Sequence, residues 1–128
     1  MSAKSYITDG YTEKGLIKEV PKVHGPVRFE FRVMLSDKIR DVLSSWELIS
    51  STERTRRIHA VIMKQVISWD LSEDGEPLKI DSGTLSRLKR NIVERLFNIV
   101  MQLDVSDEVE EELDLDKVLG DSEGEAKN

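Results

Sequence analysis

The segment Val27-Arg28-Phe29-Glu30-Phe31-Arg32-Val33 alternates apolar and charged residues without a miss. A period of two turns Val27, Phe29, Phe31 and Val33 to one face of a strand and the charges to the other. Such a strand cannot satisfy its own main chain, so the chain must supply a partner strand. The nearest source is Gly15–Val23, expected to pair with it antiparallel, with a short strand at Gly15–Val20. That partner lies in a polar stretch, residues 1–26, broken by Gly10, Gly15, Pro21, Gly25 and Pro26, which otherwise reads as an extended N-terminal arm.

Beyond Val33 the period changes to that of helices. Ser36 is a good N-cap with Asp37 in the first turn, and Ile39, Val42, Leu43 and Trp46 follow at helical spacing, which predicts a helix over Ser36–Leu48. Ser50-Ser51-Thr52 recaps the chain. A second helix is expected from about Thr52, with Ile58, Val61, Ile62, Val66 and Trp69 on one face and Arg54, Arg56, Arg57 and Lys64 on the other. Asp74-Gly75 followed by Pro77 marks a turn, because Gly allows positive φ and Pro fixes the chain beyond it. A third helix from Ser82 or Thr84 to Leu103 carries Leu85, Leu88, Ile92, Leu96, Ile99, Val100 and Leu103, widened by Val93 and Phe97. The expected fold class is therefore α+β and mainly helical: a short N-terminal β-hairpin or strand pair, three helices and an acidic flexible tail. The expected single globular domain covers 27–103.

Charge divides the chain unevenly. Residues 104–128 hold eleven acids and two lysines, a net of −9, which leaves seventeen basic and fourteen acidic residues in 1–103, a net of +3. A segment so acidic and so poor in aromatics buries too little to order itself, so 104–128 reads as a frayed acidic helix followed by a disordered end. Val105, Val109, Leu113, Leu115, Val118 and Leu119 also allow an acidic-hydrophobic motif that folds onto a partner or masks the chain's own basic surface.

Catalytic chemistry has little to work with. The chain contains no cysteine, which excludes disulfides, thiolate zinc sites, iron–sulfur clusters and cysteine nucleophiles. His24 and His59 stand in different elements and in no metal-binding spacing, so each reads as a surface or interface histidine. No phosphate-binding glycine loop and no G-x-S-x-G elbow occurs. Asp70-Leu71-Ser72-Glu73-Asp74-Gly75 imitates the start of a calcium loop that would end at Asp81, but Pro77 at its eighth position favours a plain capped turn. Arg54, Arg56, Arg57 and Lys64 with Arg87, Lys89, Arg90 and Arg95 could make a nucleic-acid face. Against this, the link between the two helices, about a dozen residues, is too long for a helix-turn-helix, and the body's charge draws phosphates weakly. The expectation is a non-enzyme without metal or cofactor. With no apolar run long enough to span a membrane and no apolar stretch in MSAKSYITDG to act as a secretory signal, it is expected to be cytoplasmic.

The segment Ser68-Trp69-Asp70-Leu71-Ser72-Glu73-Asp74-Gly75-Glu76-Pro77-Leu78-Lys79-Ile80, followed by Leu85-Ser86-Arg87-Leu88 and Leu96-Phe97, resembles small tail-assembly-chaperone-like proteins of tailed bacteriophages and prophages. The strand V-R-F-E-F-R-V-M-L is similar to the opening of that family, and the resemblance covers roughly 27–103. It implies a non-enzymatic protein of the host cytoplasm that binds a tape-measure or tail-tube protein during assembly; the long N-terminal arm departs from the family and leaves open a role as a structural part of the virion. The other reading is a small regulatory module whose acidic tail mimics nucleic acid or competes for a basic partner. The residues singled out for structure or partner contact are Phe29, Phe31, Trp46, Trp69, Asp70, Leu85 and Leu88. Trp69 is expected to end the second helix, bury its ring against the third, and aim its indole N–H at a carbonyl of the turn.

Overall fold

A computed structural model describes residues 5–107. Its elements are β1 (Thr12–Ile17), β2 (Val27–Arg32), α1 (Ser36–Leu43), α2 (Ser51–Gln65), β3 (Val66–Trp69), β4 (Ser72–Glu73), β5 (Glu76–Pro77), α3 (Ser82–Arg87) and α4 (Arg90–Val100). The class is α+β. A three-stranded antiparallel sheet in the order β1-β2-β3 packs its apolar face on the helices, and β4 and β5 form a separate hairpin.

The alternating segment is the central strand. Val27, Phe29 and Phe31 are buried, while Arg28 and Arg32 are exposed. Its partner begins earlier than the glycine pattern suggested: β1 starts at Thr12, opposite Arg32, and ends with Ile17 opposite Val27. The expected arm is thus part of the sheet from Thr12 onward, because the other rows of β2 also need ladder partners. The domain extends past 103 as well. Asp107 N–H donates to Leu16 O at 2.9 Å, Leu16 N–H donates to Ser106 Oγ at 2.7 Å, and Lys18 N–H donates to Asp107 Oδ2 at 2.8 Å. These bonds cover the outer edge of β1, which would otherwise stand open. The rest of the expected tail lies outside the described residues.

The second helix stops at Gln65, and Val66–Trp69 turns into a third strand along β2. The apolar residues Val66 and Trp69 fit a helical stripe, but Val-Ile-Ser-Trp is also β-branched and aromatic, and the uncovered edge of β2 decides between the two. Phe29 faces Trp69 and Phe31 faces Val66, with a register shift between Glu30 and Phe31 that leaves Ile67 as a bulge. Gln65, buried at the junction, donates Nε2–H to Arg32 O at 2.9 Å.

The expected first helix is shorter, ending at Leu43, with Ser45 in positive φ and Leu35 rather than Ser36 at the N-cap. Ser50 caps α2 by accepting Glu53 N–H at 3.1 Å. Asp74 and Gly75 both take positive φ, the geometry of a type I′ hairpin turn between β4 and β5. The expected third helix is two helices. Asp81 caps α3 through Thr84 N–H, and Leu88 and Lys89 are extended before α4 begins. Helix α4 ends in a Schellman arrangement, with Gln102 at positive φ and Leu103 N–H on Asn98 O at 2.8 Å. This leaves Leu103, expected in the core stripe, exposed. The core proper gathers Ile17, Phe29, Phe31, Ile62, Leu85, Leu96, Phe97, Val100 and Met101.

Candidate functional site

Most of the residues singled out from the sequence are core or ladder residues; Leu88 lines an open cavity, of about 680 Å³, with Leu78, Asp81, Thr84 and Arg87. Phe29, Phe31 and Leu85 are buried core residues, and Leu88 packs against that core half-buried. The Phe29 and Phe31 rings lie 5.3 Å apart. Trp46 stacks on Phe97 at 6.0 Å, with the Arg54 guanidinium 5.8 Å from its ring. Trp69 lies on β3 rather than at a helix end, half-buried, and its indole N–H donates to Leu78 O at 2.8 Å across the β4–β5 hairpin. Asp70 does not serve the following turn. Its Oδ1 accepts Arg28 N–H at 3.0 Å, extending the β2–β3 pairing.

Much of the basic surface is also committed. Arg57 Nη1–H donates to Val42 O at 2.7 Å and Ser44 O at 2.8 Å, closing the end of α1, while Arg54 Nε–H donates to Trp46 O at 2.9 Å. Arg56 and Arg57 share Glu53, whose carboxyl is held below its ordinary range by the Arg56 and then the Arg57 hydrogen bonds. Arg95 reaches Asp107 with both terminal nitrogens at 3.3 Å, and its Nε lies 3.3 Å from Asp104 Oδ2 as an ion pair without hydrogen-bond alignment. The described start of the acidic segment therefore meets Arg95. The two ends of the calcium-like loop are engaged elsewhere, Asp70 with Arg28 and Asp81 with Thr84. Among the described residues no group of three or more His, Asp or Glu side chains could hold a metal ion.

The feature the sequence did not disclose is a cleft of about 440 Å³ at the Thr12–Arg32 end of the sheet. Its walls come from residues 7–11, the exit of β2 at Val33–Leu35, α1 through Lys38 and Val42, and α2 through Ala60, Val61 and Lys64. Apolar groups make the floor. Arg32, Lys38 and Lys64 stand at its rim beside Asp9 and Asp41, and those three cations make no ion pair among the described residues. Val33, Val42 and Val61 carried a signal, as members of apolar stripes. Ile7 and Tyr11 carried none, because the arm has no period.

The arrangement can bind an apolar group next to negative charge. Among the described residues, the Tyr11 hydroxyl donates to Glu13 Oε2 at 2.8 Å, and no pair of carboxylates in the cleft is backed by a histidine. No helix of the described residues is long and apolar enough to cross a membrane. No family model, no curated protein and no solved structure matches this chain.

Proposed function

We propose that the chain is a non-enzymatic polypeptide-binding protein whose cleft receives an apolar stretch of its partner. The make-up of the cleft supports this reading: an apolar floor and a charged rim of Arg32, Lys38 and Lys64 beside Asp9 and Asp41, the three cations making no ion pair among the described residues. A space of that size holds a few side chains rather than a folded surface. The sequence resemblance supplies the setting. A tail-assembly chaperone in the host cytoplasm would shield an apolar segment of a tape-measure or tail-tube protein until the particle is built, or would stay with it in the virion. The strongly acidic stretch after Asp104 favours a second reading, a regulatory module that competes for a basic partner.

Co-expression with the tail-tube and tape-measure proteins of the same genome tests both. Ala60 is exposed at the cleft, so Ala60→Asp places a charge there without touching the core. Capture by the wild type and its loss in Ala60→Asp, with circular dichroism unchanged, is the expected result. Equal capture by both would remove the cleft from the reading, and capture of a nuclease or polymerase instead would favour the regulatory module.

A further inference from the structure

We propose that residues 35–49 form a strap that opens as one unit while the sheet and the core between α2 and α4 stay folded, and that this opening admits the partner segment to the cleft. The admission rests on the reading of the cleft as a polypeptide site. The opening rests on three observations of its own.

The first is burial. Helices α2, α3 and α4 each seat a side chain that is at most 2% exposed: Ile62, Leu85 and Leu96. Helix α1 buries none, and no residue of 35–50 is buried. Ile39, Val42, Leu43 and Trp46 lie half-buried against the core. Less apolar area returns to water when this segment lifts than when any other helix does, and local opening is cheapest where burial is least.

The second is how the segment is fastened. The main-chain N–H groups of Ile39, Ser44, Trp46 and Leu48 donate within it, to Leu35 O, Asp41 O, Leu43 O and Ser45 O. Two arginines of α2 hold it to the body: Arg57 on Val42 O and Ser44 O, and Arg54 on Trp46 O. The Trp46 ring stacks on Phe97. Among the described residues none of Asp37, Lys38, Arg40, Asp41 and Glu47 makes an ion pair. These fastenings are gathered over residues 42–46, so they work as a latch. Once they part, an eight-residue helix is too short to persist alone, and the segment loses its order together.

The third is that both ends are fixed. Met34, buried, donates its N–H to Val100 O at 3.3 Å and accepts Gln102 Nε2–H at 2.7 Å. Ser50 caps α2. The chain between these points can lift without disturbing β2 or α2. Helix α1 supplies Lys38, Asp41 and Val42 to the cleft, facing Ala60, Val61 and Lys64 of α2. Lifting it removes one wall, so a partner segment is laid in from the side rather than threaded.

Amide exchange of the full-length protein at low urea separates a strap from mere exposure. The Ile39, Trp46 and Leu48 amides should exchange through one opening. Their protection and urea dependence should be smaller than those of Ile62, Val100 and Met101, because less surface is uncovered. Arg54→Ala removes the bond to Trp46 O and should accelerate all three strap amides by a common factor of about ten. Gly15→Ala sets a methyl against the Phe29 ring, outside the strap. It should accelerate the core amides and leave the strap amides unchanged, since that strain is the same with the strap open or closed. Trp69→Phe serves the same purpose should Gly15→Ala fail to fold. Strap and core accelerating together in these variants would overturn the inference, because the segment would then open only with the whole fold. A response to Arg54→Ala confined to Trp46 and Leu48 would overturn it too, as piecemeal fraying. The tail-tube or tape-measure protein captured by the wild type should associate with Arg54→Ala faster by the same factor, and an unchanged rate would overturn the strap's part in admission. Unit opening in a chain that captures neither protein would leave the strap standing and sink the polypeptide-binding reading. Capture lost in Ala60→Asp, with strap amides that open only with the core, would do the reverse.

Discussion

The ring of Phe29 lies flat across the backbone of Gly15, its partner in the β1–β2 ladder. A methyl group built on Gly15 would sit 2.8 Å from Phe29 Cε1 and closer still to the tip of the ring. Glycine inside a strand normally weakens it, but here the bare backbone is the surface on which a buried aromatic rests. The ring fills the space above the glycine, and the glycine makes room for the ring.

Gly15→Ala should therefore destabilise the fold by about 1–3 kcal/mol, the range for overpacking a filled core. Adding Phe29→Leu removes the clash, so the double variant should lose less than the two single changes together. Urea titration of the four proteins checks this. Strict additivity would show that the ring moves aside freely.

The same pair shows what could be read before the structure. Phe29 announced its own burial through the two-residue period, whereas Gly15 carried no such signal, because a close cross-strand approach is a property of register. Strand β3 escaped for a related reason: Val66 and Trp69 continue the helical spacing of α2, and only the open edge of β2 makes them a strand. The break at Leu88-Lys89 has neither Gly nor Pro to mark it. The cleft is assembled from three stretches that are distant in sequence, residues 7–11, 32–42 and 60–65, so no local pattern could carry it.

Trp69→Phe tests a single bond. Phenylalanine keeps most of the ring but cannot donate to Leu78 O. The expected loss is about 1 kcal/mol, the net worth of a typical hydrogen bond. Faster amide exchange should appear at Leu78, whose own N–H is bonded to Leu71 O. Trp69→Ala should cost more, since it also empties the space of the ring. Equal stability of wild type and Trp69→Phe would mean that water replaces the bond at no cost.

Arg57 closes α1 by donating to two carbonyls, Val42 O and Ser44 O, while pairing with Glu53. Arg57→Ala leaves those acceptors without the guanidinium and should cost about 1–3 kcal/mol. Arg57→Lys should recover only part, because an ammonium is a point donor and cannot reproduce the planar fork. Full recovery by lysine would show that charge, not geometry, is what the site needs.

The last expectation concerns acid. Partial burial pushes the Asp107 carboxyl up, but the Lys18 N–H bond and the Arg95 guanidinium outweigh it and hold the group below its ordinary value of 3.8. A carboxyl depressed on folding contributes stability that is present above its unfolded pKa and is lost as pH falls through the folded one. Stability should therefore fall as the pH drops below about 4, the ordinary carboxyl range. Asp81, lowered chiefly by Thr84 N–H, and Glu53, lowered by Arg56 and Arg57, contribute with the same sign. Asp107→Asn should lower stability at pH 7 and flatten the fall, leaving the share due to Asp81 and Glu53. Its local signature is distinct: the Leu16 and Lys18 amides, covered by Ser106 and Asp107, should lose exchange protection in the variant at neutral pH and in the wild type only in acid. Unchanged protection of both amides in Asp107→Asn would show that the C-terminal segment stays on β1 without the carboxylate.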